Sequence, residues 1–159
     1  MQGCEVKFNK LMSTWAEEYI ASRGPDYVIG IDRTPPYLKR WWVIPRNKLF
    51  NIYLHEIQQD DDDRALHDHP WVNMSYVISG GYHEVTKQGT WIVPPGTFRF
   101  RRPTTAHRLV LAYGKRTVTL FITGPVIREW GFLCPQGWRH WKDFVAVREG
   151  GNDIGRGCE

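Results

Sequence analysis

Ala65-Leu66-His67-Asp68-His69-Pro70-Trp71 decides how this chain is read, together with the run Trp71-Val72-Asn73-Met74-Ser75-Tyr76-Val77-Ile78 that continues it. The second run has the β-branched and aromatic make-up of a strand. Residues two apart in a strand share a face, so His67 and His69 aim at one point while Asp68 points away. If the two histidines face inward, so do Trp71, Asn73, Ser75 and Val77, and Met74, Tyr76 and Ile78 face the other side. A third histidine follows downstream. Gly96 opens a strand, Pro103 marks its end, and His107 starts the run His107-Arg108-Leu109-Val110-Leu111. Neutral imidazole is the commonest side-chain metal ligand, which makes His67, His69 and His107 the candidate metal ligands.

The rest of the chain reads as short strands joined by turns. Its 15 Gly and 10 Pro fall between short apolar runs, and eight Trp contribute to an aromatic content of 14%. Such spacing predicts an all-β sandwich or barrel. A length of 159 residues with 42% hydrophobic residues suits one domain with a real core. Before the barrel, residues 5–23 read as an amphipathic helix: Phe8, Leu11, Met12, Trp15, Tyr19 and Ile20 fall on one face, and Gly24-Pro25 stops it. Packing on the outside of the barrel or on a partner subunit is the expectation for that face.

The barrel is expected over about residues 27–147. Tyr27 to Ile31 is a short strand. Leu38 to Ile44 and Leu49 to Ile57 form a hairpin around Pro45-Arg46-Asn47-Lys48, and His55 reads as a half-buried, hydrogen-bonded side chain. Asp60 to Asp63 read as a solvated acidic loop beside the His-x-His stretch, because four consecutive carboxylates do not fit a core. Ser79-Gly80-Gly81 is a tight turn, Tyr82 to Val85 its returning arm, and 91–93, 97–101, 107–112 and 117–123 further strands. The aromatic stretch from Arg128 to Trp141 reads as irregular, and the Gly-rich tail 149–159 as mobile.

Charge and cysteine content narrow the function classes. A net charge of +4 with scattered Lys and Arg argues against nucleic acid as a partner. Glu5, Glu17 and Glu18 in the first twenty residues argue against a signal peptide or membrane anchor. Cys4, Cys134 and Cys158 lack framework spacing and read as free thiols in the reducing cytoplasm.

Over about residues 49–123 the chain resembles the cupin superfamily. His67, His69 and Gly80 fit the His, His and last Gly of the first cupin motif, with Asn73 where a Glu is usual. Gly96, Pro103 and His107 fit the second motif loosely. Leu66 to Trp71 and Thr119 to Pro125 are similar to bacterial and phage cupins without an assigned reaction. The resemblance implies a double-stranded β-helix, a jelly-roll barrel, and a homodimer in which the N-terminal helix or the Leu38–Ile44 strand crosses between subunits.

Three imidazoles form a neutral ligand set that leaves a divalent ion its full charge, which suits an anionic small-molecule ligand. The three-His set is similar to that of cupin dioxygenases that use iron(II); zinc, nickel and manganese fit the same donors. On this reading Asn73 hydrogen-bonds metal-bound water or substrate, and Glu84 is a fourth ligand or base. Arg99, Arg101, Arg108 and Arg128 are candidates for holding a substrate anion, Arg99 and Arg101 being inside only if Phe98 and Phe100 are outside. Trp71, Tyr82 and Trp130 are candidates for the pocket wall. Two alternatives stay open: a metal-independent nucleotide-sugar isomerase or epimerase with a His base and Tyr82 as acid, and a non-catalytic ligand-binding barrel.

Overall fold

The chain was analysed as a computed structural model, which describes residues 2–31, 33–61, 65–148 and 151–159. The elements run α1 (Gln2–Ser22), β1 (Tyr27–Ile29), β2 (Leu38–Trp42), β3 (Asn51–Ile57), β4 (Leu66–His67), β5 (Asn73–Ser79), β6 (Tyr82–Thr86), β7 (Gly89–Val93), β8 (Phe98–Arg101), β9 (His107–Leu111), β10 (Thr117–Thr123), β11 (Gly131–Cys134), β12 (Gly137–His140), α2 (Trp141–Phe144), β13 (Val145–Arg148) and β14 (Gly151–Ile154). Two six-stranded antiparallel sheets carry the barrel. Their orders are β1-β2-β3-β10-β5-β8 and β12-β11-β4-β9-β6-β7. Sequence neighbours are interleaved across the two sheets, as in a double-stranded β-helix.

The strand parity of β5 places one face against the helix and the other inside. Tyr76 and Ile78 join Trp41, Leu54 and Val118 under Ala16, Met12, Trp15, Tyr19 and Ile20 of α1. Polar contacts fix the helix position: Tyr76 Oη donates to Asn9 Oδ1 at 2.9 Å and Tyr19 Oη to the Trp42 carbonyl at 3.1 Å. On the other face, Val77 packs with Tyr82 and Val93. The helix therefore covers the barrel's outside, while Leu11 of the expected apolar face stays exposed.

One strand end shifts for a local reason. β3 begins at Asn51 because Asn47 Oδ1 accepts the amides of Leu49 and Phe50, which closes a side-chain turn in place of a ladder. The turn between β5 and β6 needs glycine. Gly80 has φ +80°, and a Cβ there would lie 2.4 Å from the Arg116 carbonyl oxygen.

Three expectations are corrected. The C-terminal aromatic stretch is regular: β11 pairs with β4, setting Phe132 opposite His67, and with β12. In the tail expected to be mobile, β14 pairs with β13. Cys134 and Cys158 are disulfide-bonded rather than free. The bond sits in a cluster with Ala65, Phe132 and Phe144, which ties the chain end to the barrel wall. The described helices include none long and apolar enough to cross a membrane.

Candidate metal centre

His67 ends β4, His107 begins β9, and the two face each other in antiparallel register. His69 lies just past β4, where its amide donates to the Pro103 carbonyl at 3.1 Å. The strand is thus shorter than the His-x-His argument assumed, yet the side chains still converge. A ring nitrogen of each histidine lies within 4.8 Å of the others, and His69 Nε2 is 2.9 Å from His107 Nε2. All three line a cavity of about 340 Å3.

Asp68 points away, as its parity requires. Its carboxylate accepts from the Gly131 amide, Arg128 Nη1 and Trp138 Nε1 at 2.8, 2.7 and 3.0 Å. The residue between two candidate ligands therefore locks their segment to β11 and β12. It also occupies Arg128, expected to be a candidate for a substrate anion.

Two carboxylates stand behind the histidines. Glu84 Oε1 lies 2.9 Å from His107 Nδ1, and Asp61 Oδ2 lies 3.6 Å from His67 Nδ1. Glu84 is buried (1% exposed) and also holds Arg101 Nε at 2.5 Å and Arg99 Nη2 at 2.5 Å. Asp61 corrects the picture of a fully solvated acidic loop. It is buried, accepts the Leu109 amide at 2.6 Å and is hydrogen-bonded by Tyr37 Oη. Of the rest of that loop, Asp60 caps the Leu111 amide at 2.6 Å, and 62–64 lie outside the described residues.

Burial favours the neutral form of His69 and His107. Burial pushes His69 well below the ordinary histidine value, with His67 and His107 adding to the effect. Burial also lowers His107, to about 4, although the Glu84 contact pulls the other way. Burial alone would raise Glu84; its contact with His107 and the Arg101 charge outweigh this and hold it well below the usual carboxylate range. An ionised Glu84 facing His107 Nδ1 fixes the tautomer with the proton on Nδ1 and a lone pair on Nε2, the side turned to His69. This neutral, convergent donor set with a carboxylate behind it fits a divalent transition metal.

The other expected site residues divide. β8 turns Phe98 and Phe100 outward (58% and 68% exposed) and buries Arg101. Arg101 lines the cavity, but its guanidinium is spent on Glu84, on Ser75 Oγ at 2.9 Å and on Tyr82 Oη at 3.0 Å. It braces the wall more than it offers a free fork. Arg99 is on Glu84 and off the cavity wall. Trp71 and Tyr82 line the cavity. Asn73 is buried behind Arg101, 3.5 Å from its Nη1, and does not line the cavity. Glu84 does not line it either, so the structure sets both back from the position of ligand or base expected for them.

Several cavity residues were not singled out from sequence. Phe132 comes from the aromatic stretch read as irregular, Phe144 and Val145 from just beyond it, and Arg40 from β2. The signal for Arg40 is parity: Leu38, Arg40 and Trp42 alternate with Trp41, which is buried under α1.

No protein-family model matches the sequence, and no curated protein matches it. Solved structures do. A Ralstonia eutropha protein named for mannose-6-phosphate isomerase is 18% identical, with a TM-score of 0.51 over 63% of this chain and 92% of that one. An RmlC-like cupin from Shewanella frigidimarina is 18% identical, with a TM-score of 0.47 over 56% and 77%. The polyketide cyclase RemF of Streptomyces resistomycificus is 21% identical, with a TM-score of 0.49 over 72% and 75%.

Proposed function

We propose that this chain, whose fold is that of the cupin double-stranded β-helix, is a metal-dependent dioxygenase acting on a small anionic molecule. The observation that carries the reading is the convergence of His67, His69 and His107 on one cavity, with His69 and His107 Nε2 2.9 Å apart. These three residues hold the ion, iron(II) by preference, with zinc, nickel and manganese as competitors for the same donors. Bound there, iron(II) supplies an open position for oxygen and substrate.

The chain's own residues do the rest. Glu84 keeps the His107 lone pair turned inward, and Arg101 balances the Glu84 charge. The apolar wall of Phe121, Phe132 and Leu109 limits water around the substrate. Among the described residues Trp71 Nε1 is a buried donor without a hydrogen-bond partner, with its ring beside His69, and would be available to a ligand oxygen.

Two alternatives rest on the same cavity: a metal-independent nucleotide-sugar isomerase, supported by Tyr82 on the wall with His107, and a ligand-binding barrel without turnover. We also propose a single-domain homodimer. Exposed Phe98 and Phe100 on edge strand β8 continue through Tyr76 (4.5 Å to Phe98) to Phe8 of α1 (5.7 Å) as an apolar face. The proposed site of action is the cytoplasm, where iron(II) is kept reduced; the Cys134–Cys158 bond pulls against that placement.

The test is nitric oxide binding to anaerobic, iron(II)-loaded protein, followed by electron paramagnetic resonance. A high-spin iron–nitrosyl signal supports an open iron site. Iron-loaded protein that gives no such signal removes the dioxygenase reading.

A further inference from the structure

Arg40 stands on the inner side of β2, on the wall of the histidine cavity, with His55 and Tyr27 as its neighbours across the sheet. Two contacts fix its guanidinium. Nε donates to His55 Nε2 at 2.8 Å, and Cζ lies 4.8 Å over the Tyr53 ring. His55 is held in turn between the rings of Tyr53 and Phe121, with centroids 5.9 and 4.9 Å away. Because His55 accepts at Nε2 it is neutral, and burial with the Arg40 charge keeps it so.

These contacts use one of the five guanidinium N–H donors. Among the described residues, Nη1 and Nη2 have no acceptor and no carboxylate pairs with Arg40. The contrast with other arginines is plain: Arg99 and Arg101 have Glu84, Arg116 has Glu17 and Glu56, and Arg128 has Asp68. A second cation, Arg33, shares the wall and donates to Gln59 Oε1 at 3.4 Å. Asp61 lies on the same wall but is held by Tyr37 and the Leu109 amide. A preorganised guanidinium that no carboxylate pairs with is costly for folding alone, and a planar fork matches a carboxylate.

We propose that Arg40 is an anion subsite that takes the carboxylate of a small ligand whose other end reaches the three histidines. The far end rests on the metal reading above; the near end does not. Phe121 joins the two ends, its ring centroid 4.9 Å from His55 and 6.3 Å from His69. The ligand is therefore short. About 340 Å3 holds roughly eleven water volumes. Leu38, Ile57 and Leu109 also line the cavity, which favours a few carbon atoms in the ligand. The substrate class is a short-chain acid with a second oxygen-bearing group at its other end.

The test is calorimetric titration of malonate, succinate and glutarate into the nickel-loaded full chain, its Arg40→Met and Arg40→Lys variants, and the metal-free His107→Ala variant. The subsite predicts that at least one diacid binds the wild type. It predicts binding at least tenfold weaker in R40M with nickel content unchanged, and intermediate binding in R40K, which keeps the charge without the fork. It also predicts weak binding to H107A that is lost in H107A/R40M. If the wild type takes up no nickel but still binds a diacid through Arg40, the metal reading fails and the subsite stands. Wild-type affinity in R40M, or no binding of any of the three diacids to the wild type at about 10 mM, overturns the subsite.

Discussion

Glu84 Oε1 and His107 Nδ1 face each other at 2.9 Å, and both side chains are almost fully buried. The same carboxylate holds Arg101 and Arg99, so one buried negative charge orders an imidazole and two guanidiniums.

Replacing Glu84 by Gln keeps the shape and removes the charge. Arg101 is then a buried cation without its carboxylate, and a loss of about 3–5 kcal/mol of stability is expected. The His107 tautomer is also released, so metal affinity falls about 10–100-fold. Urea denaturation and competitive metal titration read the two effects. Wild-type values in both would separate Glu84 from the centre.

Acid should unfold the metal-free protein early. His55, His69 and His107 have folded values below the ordinary histidine value of about 6.5, His107 at about 4. Between those values the unfolded chain binds more protons than the folded one. Stability is therefore full above about pH 6.5 and is lost as pH falls toward 4. His55→Gln, away from the other two, should flatten part of that slope. A pH series of melting temperatures checks it; a flat profile from 7 to 4 contradicts buried neutral histidines.

Gly80 is the tightest turn position. Its positive φ and the 2.4 Å approach of the Arg116 carbonyl oxygen leave no room for Cβ. Gly80→Ala is expected to cost about 2 kcal/mol or more, read by denaturant midpoint, whereas Gly89→Ala, which meets nothing within 4 Å, should cost less.

The Cys134–Cys158 bond takes up two of the three cysteines. Thiol titration in denaturant should count one per chain before reduction and three after. Reduction should lower the melting temperature, since the bond closes a loop across 24 positions, worth about 3 kcal/mol in the chain-entropy model. Three thiols without reduction would contradict the bond.

What was legible in the sequence were features carried by local period. Strand parity put Ser75 and Val77 inside and Tyr76 and Ile78 under the helix, and the conditional for β8 resolved with Phe98 and Phe100 out. The histidine convergence was legible because His67 and His69 lie two residues apart on one short segment. Features set by long-range pairing were not legible. Asp61 enters the wall only because Tyr37 and the Leu109 amide meet it there. Phe132 reaches His67 only because β11 joins β4. Asn73 was expected to touch bound water from strand parity and motif position; it does not line the cavity, and Arg101, which does, lies 3.5 Å from its Oδ1. Arg40 lies far from the three histidines in sequence, and only the pairing of β2 with β3 sets it beside His55 on the cavity wall.

The most direct measurement is elemental analysis of the untagged protein purified without chelators, beside His67→Ala and His107→Ala. One equivalent of iron, nickel, manganese or zinc in the wild type, lost in both variants while they stay folded, is the expected result. A folded wild type that carries no metal and takes none up on reconstitution would contradict the metal centre and leave the three histidines as walls of a binding or isomerase barrel.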